Sequence, residues 1–224
     1  VHRLDVEEKV LGYGKYPDDF YFDNMCYGSA VRSKYPRARV LSIDISAAKA
    51  LPGVVAVLTA EDVPGENLVG HLKHDQYTLI PVGGLTHYLG DAIALVVGEN
   101  LDVVEKAKKL VKVEYEELPF VLDVQKAMEP GAPQLHEQFP NNILKHTDMR
   151  KGDYAAAIQE PGLIKVEGWY DTPTVQHCHI ENHGCYAYEE NGRMVVVSST
   201  QIPHIIRRIV GQALGRPWAD IRVV

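Results

Sequence analysis

The stretch Asp91-Ala92-Ile93-Ala94-Leu95-Val96-Val97-Gly98, followed by Asn100-Leu101-Asp102 and then by Lys112-Val113-Glu114-Tyr115-Glu116-Glu117, decides the fold class. Residues 93–97 form a short unbroken apolar run, the pattern of a strand buried on both faces. Asn100 or Asp102 offers a side-chain oxygen to cap a helix start. Behind it Val103, Val104, Ala107, Leu110 and Val111 recur at helical spacing. From Val111 to Glu117 apolar and charged residues alternate, the period of a half-buried strand. Strand, helix and strand in this order predict an α/β or α+β fold.

Towards the N-terminus, residues 26–59 read as strand, strand, short helix, strand. Residues 40–45 alternate, Ser46 caps a helix through Leu51, and Pro52-Gly53 ends it. The β-branched residues 54–58 suit a buried strand, and residues 60–63 one helical turn. Residues 66–81 are polar and aperiodic, which predicts an exposed loop.

Towards the C-terminus, Pro130-Gly131-Ala132-Pro133 and Pro140-Asn141-Asn142 carry the turn chemistry of a linker. Two domains are therefore expected, 1–130 and 131–224. The second should hold a helix near 154–158 and strands near 163–170, 175–181, 185–188 and 194–198. Glu190-Asn191-Gly192 joins the last two as a hairpin, because Asn-Gly accepts the positive φ of such turns. Pro203 suits the first turn of a helix that Gly215 closes. Ile205, Ile206, Ile209, Val210, Ala213 and Leu214 line one of its faces, with Arg207 and Arg208 off that face.

Apolar residues at 46% and charged residues at 24% are those of a globular chain, so disorder is excluded. A net charge of -7 gives no basic footprint, which argues against nucleic acid and anionic membrane surfaces as partners. The apolar runs fall far short of the roughly 20 residues that span a bilayer. Three scattered cysteines, Cys26, Cys178 and Cys185, make no disulfide framework and point to a reducing, cytoplasmic compartment. The chain starts at Val1 and stops at Val224 inside what reads as a strand, so it is expected to be a piece of something longer.

Two polar clusters could carry chemistry. In His177-Cys178-His179-Ile180-Glu181-Asn182-His183, alternate residues would share one face of a strand, and His177, His179 and Glu181 are sound ligands for zinc or iron. The same histidines serve equally as structural hydrogen-bonding groups. A small zinc protein built on His177, His179 and His183 is one reading of the chain. The second cluster, Ser198-Ser199-Thr200-Gln201, lies between a strand and a helix start, beside unpaired backbone N–H groups and the positive end of the helix dipole. It would suit an anionic or oxo ligand; the alternative is plain capping by Ser199 or Thr200. Gly12-Tyr13-Gly14 and Gly83-Gly84 are too short to cradle a phosphate and read as turns. Glu114, Glu116 and Glu117 read as a charged strand edge, and Lys106, Lys108 and Lys109 as a solvated helix face.

Taken as a pattern, Ser198-Ser199-Thr200-Gln201-Ile202-Pro203-His204, then Arg207-Arg208, Gly211-Gln212-Ala213-Leu214 and Ile221-Arg222-Val223, resembles molybdenum hydroxylases of the xanthine dehydrogenase and aldehyde oxidase family. The run from Gln176 to Glu181 is similar to the family's His-Cys-His-x-Glu segment. Asp5, Lys9-Val10, Gly12 and Tyr16 through Asp19 resemble its opening, followed by Pro52-Gly53-Val54 and Glu61-Asp62-Val63-Pro64. Gly90-Asp91 through Val97, Ala107, Tyr115 and Leu118-Pro119 resemble its α/β hammerhead domain.

The resemblance implies a hammerhead domain followed by the beginning of a mixed α+β molybdopterin-binding domain. It also implies an oxidoreductase that hydroxylates a purine such as xanthine or hypoxanthine with oxygen from water; other heterocycles or aldehydes are the alternative substrates. A molybdenum-pterin cofactor would sit in the full subunit, with iron-sulfur clusters and FAD on partner domains or subunits of an oligomer. Gln201 matches the family glutamine whose amide donates to an oxo ligand on molybdenum. His177, His179 and Glu181 stand behind it as metal candidates, and the resemblance gives His177 and Glu181 a structural hydrogen-bonding role. No catalytic residue is expected within 1–224, because the family's glutamate base and its glycine-rich loop with a pocket phenylalanine lie further along.

Overall fold

The computed structural model describes residues 3–224. It divides into two compact units, one formed by residues up to Leu122 together with Glu181–Val224, the other by Asp123–Ile180.

The first unit runs α1 (Val6–Leu11), β1 (Tyr27–Arg32), β2 (Ala38–Asp44), α2 (Ser46–Lys49), β3 (Val54–Leu58), β4 (Leu68–Val69), β5 (Gln76–Tyr77), β6 (Ala92–Gly98), α3 (Leu101–Lys108) and β7 (Lys112–Glu117). The second unit holds α4 (Val124–Ala127) and α5 (Tyr154–Ala157). The chain then returns to the first with β8 (Cys185–Glu190), β9 (Arg193–Ser198), α6 (Pro203–Leu214) and β10 (Ile221–Val223). The expected α/β, α+β class is the observed one.

The deciding run folds as strand, helix, strand, but it does not close a parallel sheet. β6 lies between β1 and β3, antiparallel to both, whereas β7 pairs with β2 in a separate antiparallel ladder. β6 is buried on both faces because it feeds two cores. Val96 packs with Ala48, Val57, Val104 and Ala107, while Ile93 packs with Val40 and Ile80. Each buried valine or isoleucine among them contributes about 1.5–3 kcal/mol by leaving water. Among the described residues the parallel strand pair is β9 with β10, joined through α6, and β8 flanks β9 on the other side, antiparallel to it.

Asn100 is the cap of α3: its side chain accepts from Val103 N at 2.9 Å, and Val104 and Ala107 below it are fully buried. Asn100→Ala is expected to lose about 1 kcal/mol of stability, seen as a lower denaturation midpoint with an unchanged denaturant slope. The short helix α2 differs from expectation. Ser46 is its first residue rather than its cap, and the Asp44 carboxylate accepts from Ser46 N at 3.0 Å. Those bonds from the Ser46 side chain and backbone hold the Asp44 pKa below the ordinary carboxylate range.

Residues 66–81 are not a plain exposed loop. β4 pairs with β5, Val69, Leu79 and Ile80 are buried, and the Asn67 side chain bonds both Leu79 N and Leu79 O. A few anchors spaced without period order a polar segment, which a search for periodicity passes over.

The strands expected at 163–170 and 175–181 do not form. Ile164, Val166, Trp169, Tyr170 and Ile180 are each more than 80% exposed, and no strand lies among the described residues of the second unit. Alternation shows which face a strand would bury, but a ladder needs a neighbour to accept its hydrogen bonds. The linker chemistry does appear. Asn141 and Asn142 have φ of 56° and 58°, and the Asn142 side chain ties Leu135 N to Ala127 O and Pro133 O.

Candidate functional site

The polar corner is set by the hairpin before it. Asn191 and Gly192, with φ of 51° and 78°, turn the chain so that Cys185 pairs with Ser198 and Tyr186 with Val197. Val195 and Val196 are buried and fix β9. Ser198 N then donates to Val224 O at 3.0 Å and Ser199 N to Gly184 O at 3.3 Å. The Ser199 hydroxyl lies within hydrogen-bonding distance of Gly184 N, Gly184 O and Asn182 O, so it closes the end of the ladder.

Neither Ser199 nor Thr200 caps α6. The cap residue is Ile202, with no side-chain bond, and Pro203 follows at the first helical position. Thr200 instead accepts from Ile202 N at 3.2 Å, one residue too early to reach the first turn. Among the described residues, the backbone N–H groups of Thr200 and Gln201 and the exposed Gln201 amide have no hydrogen-bond partner. These three unused donors lie just before the positive end of a 12-residue helix, a place that favours an anionic or oxo acceptor.

At the other end of α6, Gly215 closes the helix in the left-handed conformation, with φ 61°. Arg208 is not on a solvated face. Its Nη2 donates to His71 O at 2.7 Å and Gly70 O at 3.2 Å. The sequence reading missed this contact, and the one available signal was an arginine next to an apolar stripe, which most helices carry.

The histidine segment does not present alternate residues on one strand face. The chain there is not a strand, and Cys178 has φ 53°, which breaks the alternation. The rings of His177 and His179 stack with centroids 5.3 Å apart and planes 7° apart. Glu181 is half-buried and His183 exposed, both in the first unit. Among the described residues no group of three or more His, Cys, Asp or Glu side chains is placed to hold a metal ion.

A cavity of about 1040 Å³ opens beside the end of the β8–β9 ladder, lined by Phe20, Cys26, Asn100, His183, Cys185 and Ser199 among others. Thr200 and Gln201 do not line it. Tyr186, also in its wall, stacks on Tyr188 and contacts Phe20, and burial followed by the charge of Tyr188 pushes its phenol pKa up. The three cysteines are free and exposed. No helix among the described residues is long and apolar enough to cross a membrane.

Two family models match the chain: "Aldehyde oxidase and xanthine dehydrogenase, a/b hammerhead domain" over residues 11–119, and "Molybdopterin cofactor-binding domain" over residues 135–224. The chain is 39% identical over 231 residues to the xanthine dehydrogenase molybdenum-binding subunit of Escherichia coli O157:H7, covering 99% of this chain and 30% of that one. It is 35% identical over 223 residues to the nicotinate dehydrogenase large molybdopterin subunit of Eubacterium barkeri, covering 99% and 51%. Among solved structures, the aldehyde oxidoreductase from Desulfovibrio gigas superposes with a TM-score of 0.91 at 26% identity, over 99% of this chain and 26% of that one. The chain thus spans about a third to a half of the length of these curated relatives.

Proposed function

Because the chain belongs to the aldehyde oxidase and xanthine dehydrogenase family, we propose that it is part of the molybdenum subunit of a hydroxylase that inserts water-derived oxygen into a nitrogen heteroaromatic ring. A purine of the xanthine type is the favoured substrate, since the relative at 39% identity bears that name. Nicotinate, named in the second relative, is a ring of the same chemical class.

The observation that carries this reading is the donor corner of Thr200 and Gln201, which falls within the stretch matched by the cofactor-binding model. Its donor set fits the group: N–H donors suit an oxo acceptor. Gln201 would hold its amide N–H towards an oxo ligand, and the Thr200 and Gln201 backbone would add two fixed donors. A bound molybdenum-pterin group supplies the two-electron oxidation. This chain's share is to orient that group and to stabilise negative charge on its oxygen. His177, His179 and Glu181 take no metal in this reading.

The hammerhead domain would span 1–130 and the opening of the cofactor domain 131–224. Iron-sulfur and FAD subunits would receive the electrons in an oligomeric assembly, and the three free thiols suit a cytoplasmic setting. The test is metal and pterin analysis of the assembled, active subunit. Near-stoichiometric molybdenum and pterin are expected. An active preparation containing neither would end this reading.

A further inference from the structure

We propose that the segment from Gly65 to His71, far from the donor corner in sequence, is the clamp that sets the position of α6 and hence of Gln201, with Gly65 and Arg208 as positioning residues. The significance for catalysis rests on the reading of Gln201 given above; the clamp itself rests on geometry.

A helix ends with carbonyls that have no partner within it. In α6 two of these are taken by the segment: Gly65 N donates to Ala213 O at 3.0 Å and Glu66 N to Gln212 O at 2.9 Å. The Gln212 side chain adds a bond to Glu66 Oε2 at 3.4 Å. Further up the helix, the Arg208 guanidinium reaches Gly70 O and His71 O. The segment therefore grips α6 at its C-terminal end and again within two turns of its start.

The approach is close enough to require glycine. A Cβ at Gly65 would collide with Gln212 O and Gly215 N, both backbone atoms that cannot swing aside. Gly70 is equally tight against Lys73 O, so the turn that presents its carbonyl to Arg208 allows no side chain. A 12-residue helix is about 18 Å long and behaves as a rod. Fixing its lower half fixes where its first turn, and the Thr200-Gln201 corner attached to it, stands. Ser199 and Thr200 hold the β9 side of the corner, but α6 has no side-chain cap at its start, so the helix side depends on the contacts further along it.

The experiment uses the assembled subunit with Arg208→Ala, Arg208→Lys, Gly65→Ala and Gln201→Ala, followed by backbone hydrogen exchange, the molybdenum EPR signal and steady-state kinetics. Removing the Arg208 bonds is expected to speed exchange at Gly65 and Glu66 by at least about tenfold, the opening expected when charged hydrogen bonds are lost. Exchange should also quicken at Ile205 and Ile206, whose N–H groups bond Ile202 O in the first turn. In the same variants kcat should fall roughly 10- to 100-fold with KM little changed, as misplacement near 1 Å does, and the EPR signal should shift. Arg208→Lys, which keeps a cationic donor for His71 O, should recover most of both effects. In a Gln201→Ala background the Arg208 variants should reduce kcat no further.

Faster exchange confined to residues 64–71, with Ile205, Ile206 and kcat unmoved, overturns the proposal. If Arg208→Ala fails to assemble, Gly65→Ala gives the same reading at Ile205 and Ile206, with Arg208→Lys as the near-wild-type comparison. A Gln201→Ala variant with normal kcat and EPR signal would defeat the role of the Gln201 side chain alone, while the exchange result still decides the clamp.

Discussion

Ile93→Ala is expected to lower the unfolding free energy by about 2–5 kcal/mol, the range for emptying a close-packed aliphatic site. Ile93 is 0% exposed and packs with Val40 and Ile80, themselves fully buried, with Ile43, Tyr77, Val113 and Tyr115 around them. Tyr115 is braced edge-on by Tyr35 at 5.2 Å, and burial pushes its phenol pKa up. The site is supplied by three different ladders, so its walls cannot collapse together to fill the space. The loss would be a large part of the 5–15 kcal/mol that holds a typical domain folded. Chemical denaturation followed by circular dichroism reads the effect. Val55→Ala on the 57% exposed face of β3 is the contrast and should shift stability by no more than about 0.5 kcal/mol. Equal losses at the two positions would mean that the core does not centre on β6.

Gln201→Ala in the assembled subunit is expected to reduce kcat about 10- to 100-fold, the usual cost of deleting a group that hydrogen-bonds a metal's ligand. The fold should not change, because Gln201 is exposed and makes no hydrogen bond within the described residues. Molybdenum content should stay as in the wild type, which separates tuning of the cofactor from failure to load it. Gln201→Glu should be at least as damaging, since an ionised carboxylate donates nothing and places negative charge beside an oxo acceptor. The backbone donors of Thr200 and Gln201 survive both changes and leave residual turnover. Wild-type kcat in both variants would remove Gln201 from the site.

The first half of the fold was legible because its strands bury regular faces. β2, β3, β6 and β7 fall where alternation or apolar runs placed them, β1 is the first strand expected within 26–59, and Asn100, one of the two cap candidates, caps α3. The hairpin at Asn191-Gly192 and the closure at Gly215 were legible for a local reason: each needs a positive φ that few residues accept. Residues 66–81 were not legible, because Val69, Leu79 and Ile80 are anchored by the Asn67 side chain rather than by a period. Nor were 163–181, where a strand-like pattern finds no strand to pair with.

For the site, the four residues Ser198 to Gln201 were marked by their place between a strand and a helix, and the family pattern then singled out Gln201. What the sequence by itself determined was the set of elements and that one polar corner, since hydrophobic period, turn chemistry and motif order are properties of neighbours along the chain. Only the tertiary structure decided that β6 and β7 belong to different sheets, that Ser199 serves the ladder rather than the helix, and that Gly65 and Arg208 grip α6. Those are contacts between residues up to 148 positions apart, Gly65 and Ala213. They depend on backbone groups that every residue carries, and composition leaves no mark of which carbonyl a distant N–H will find.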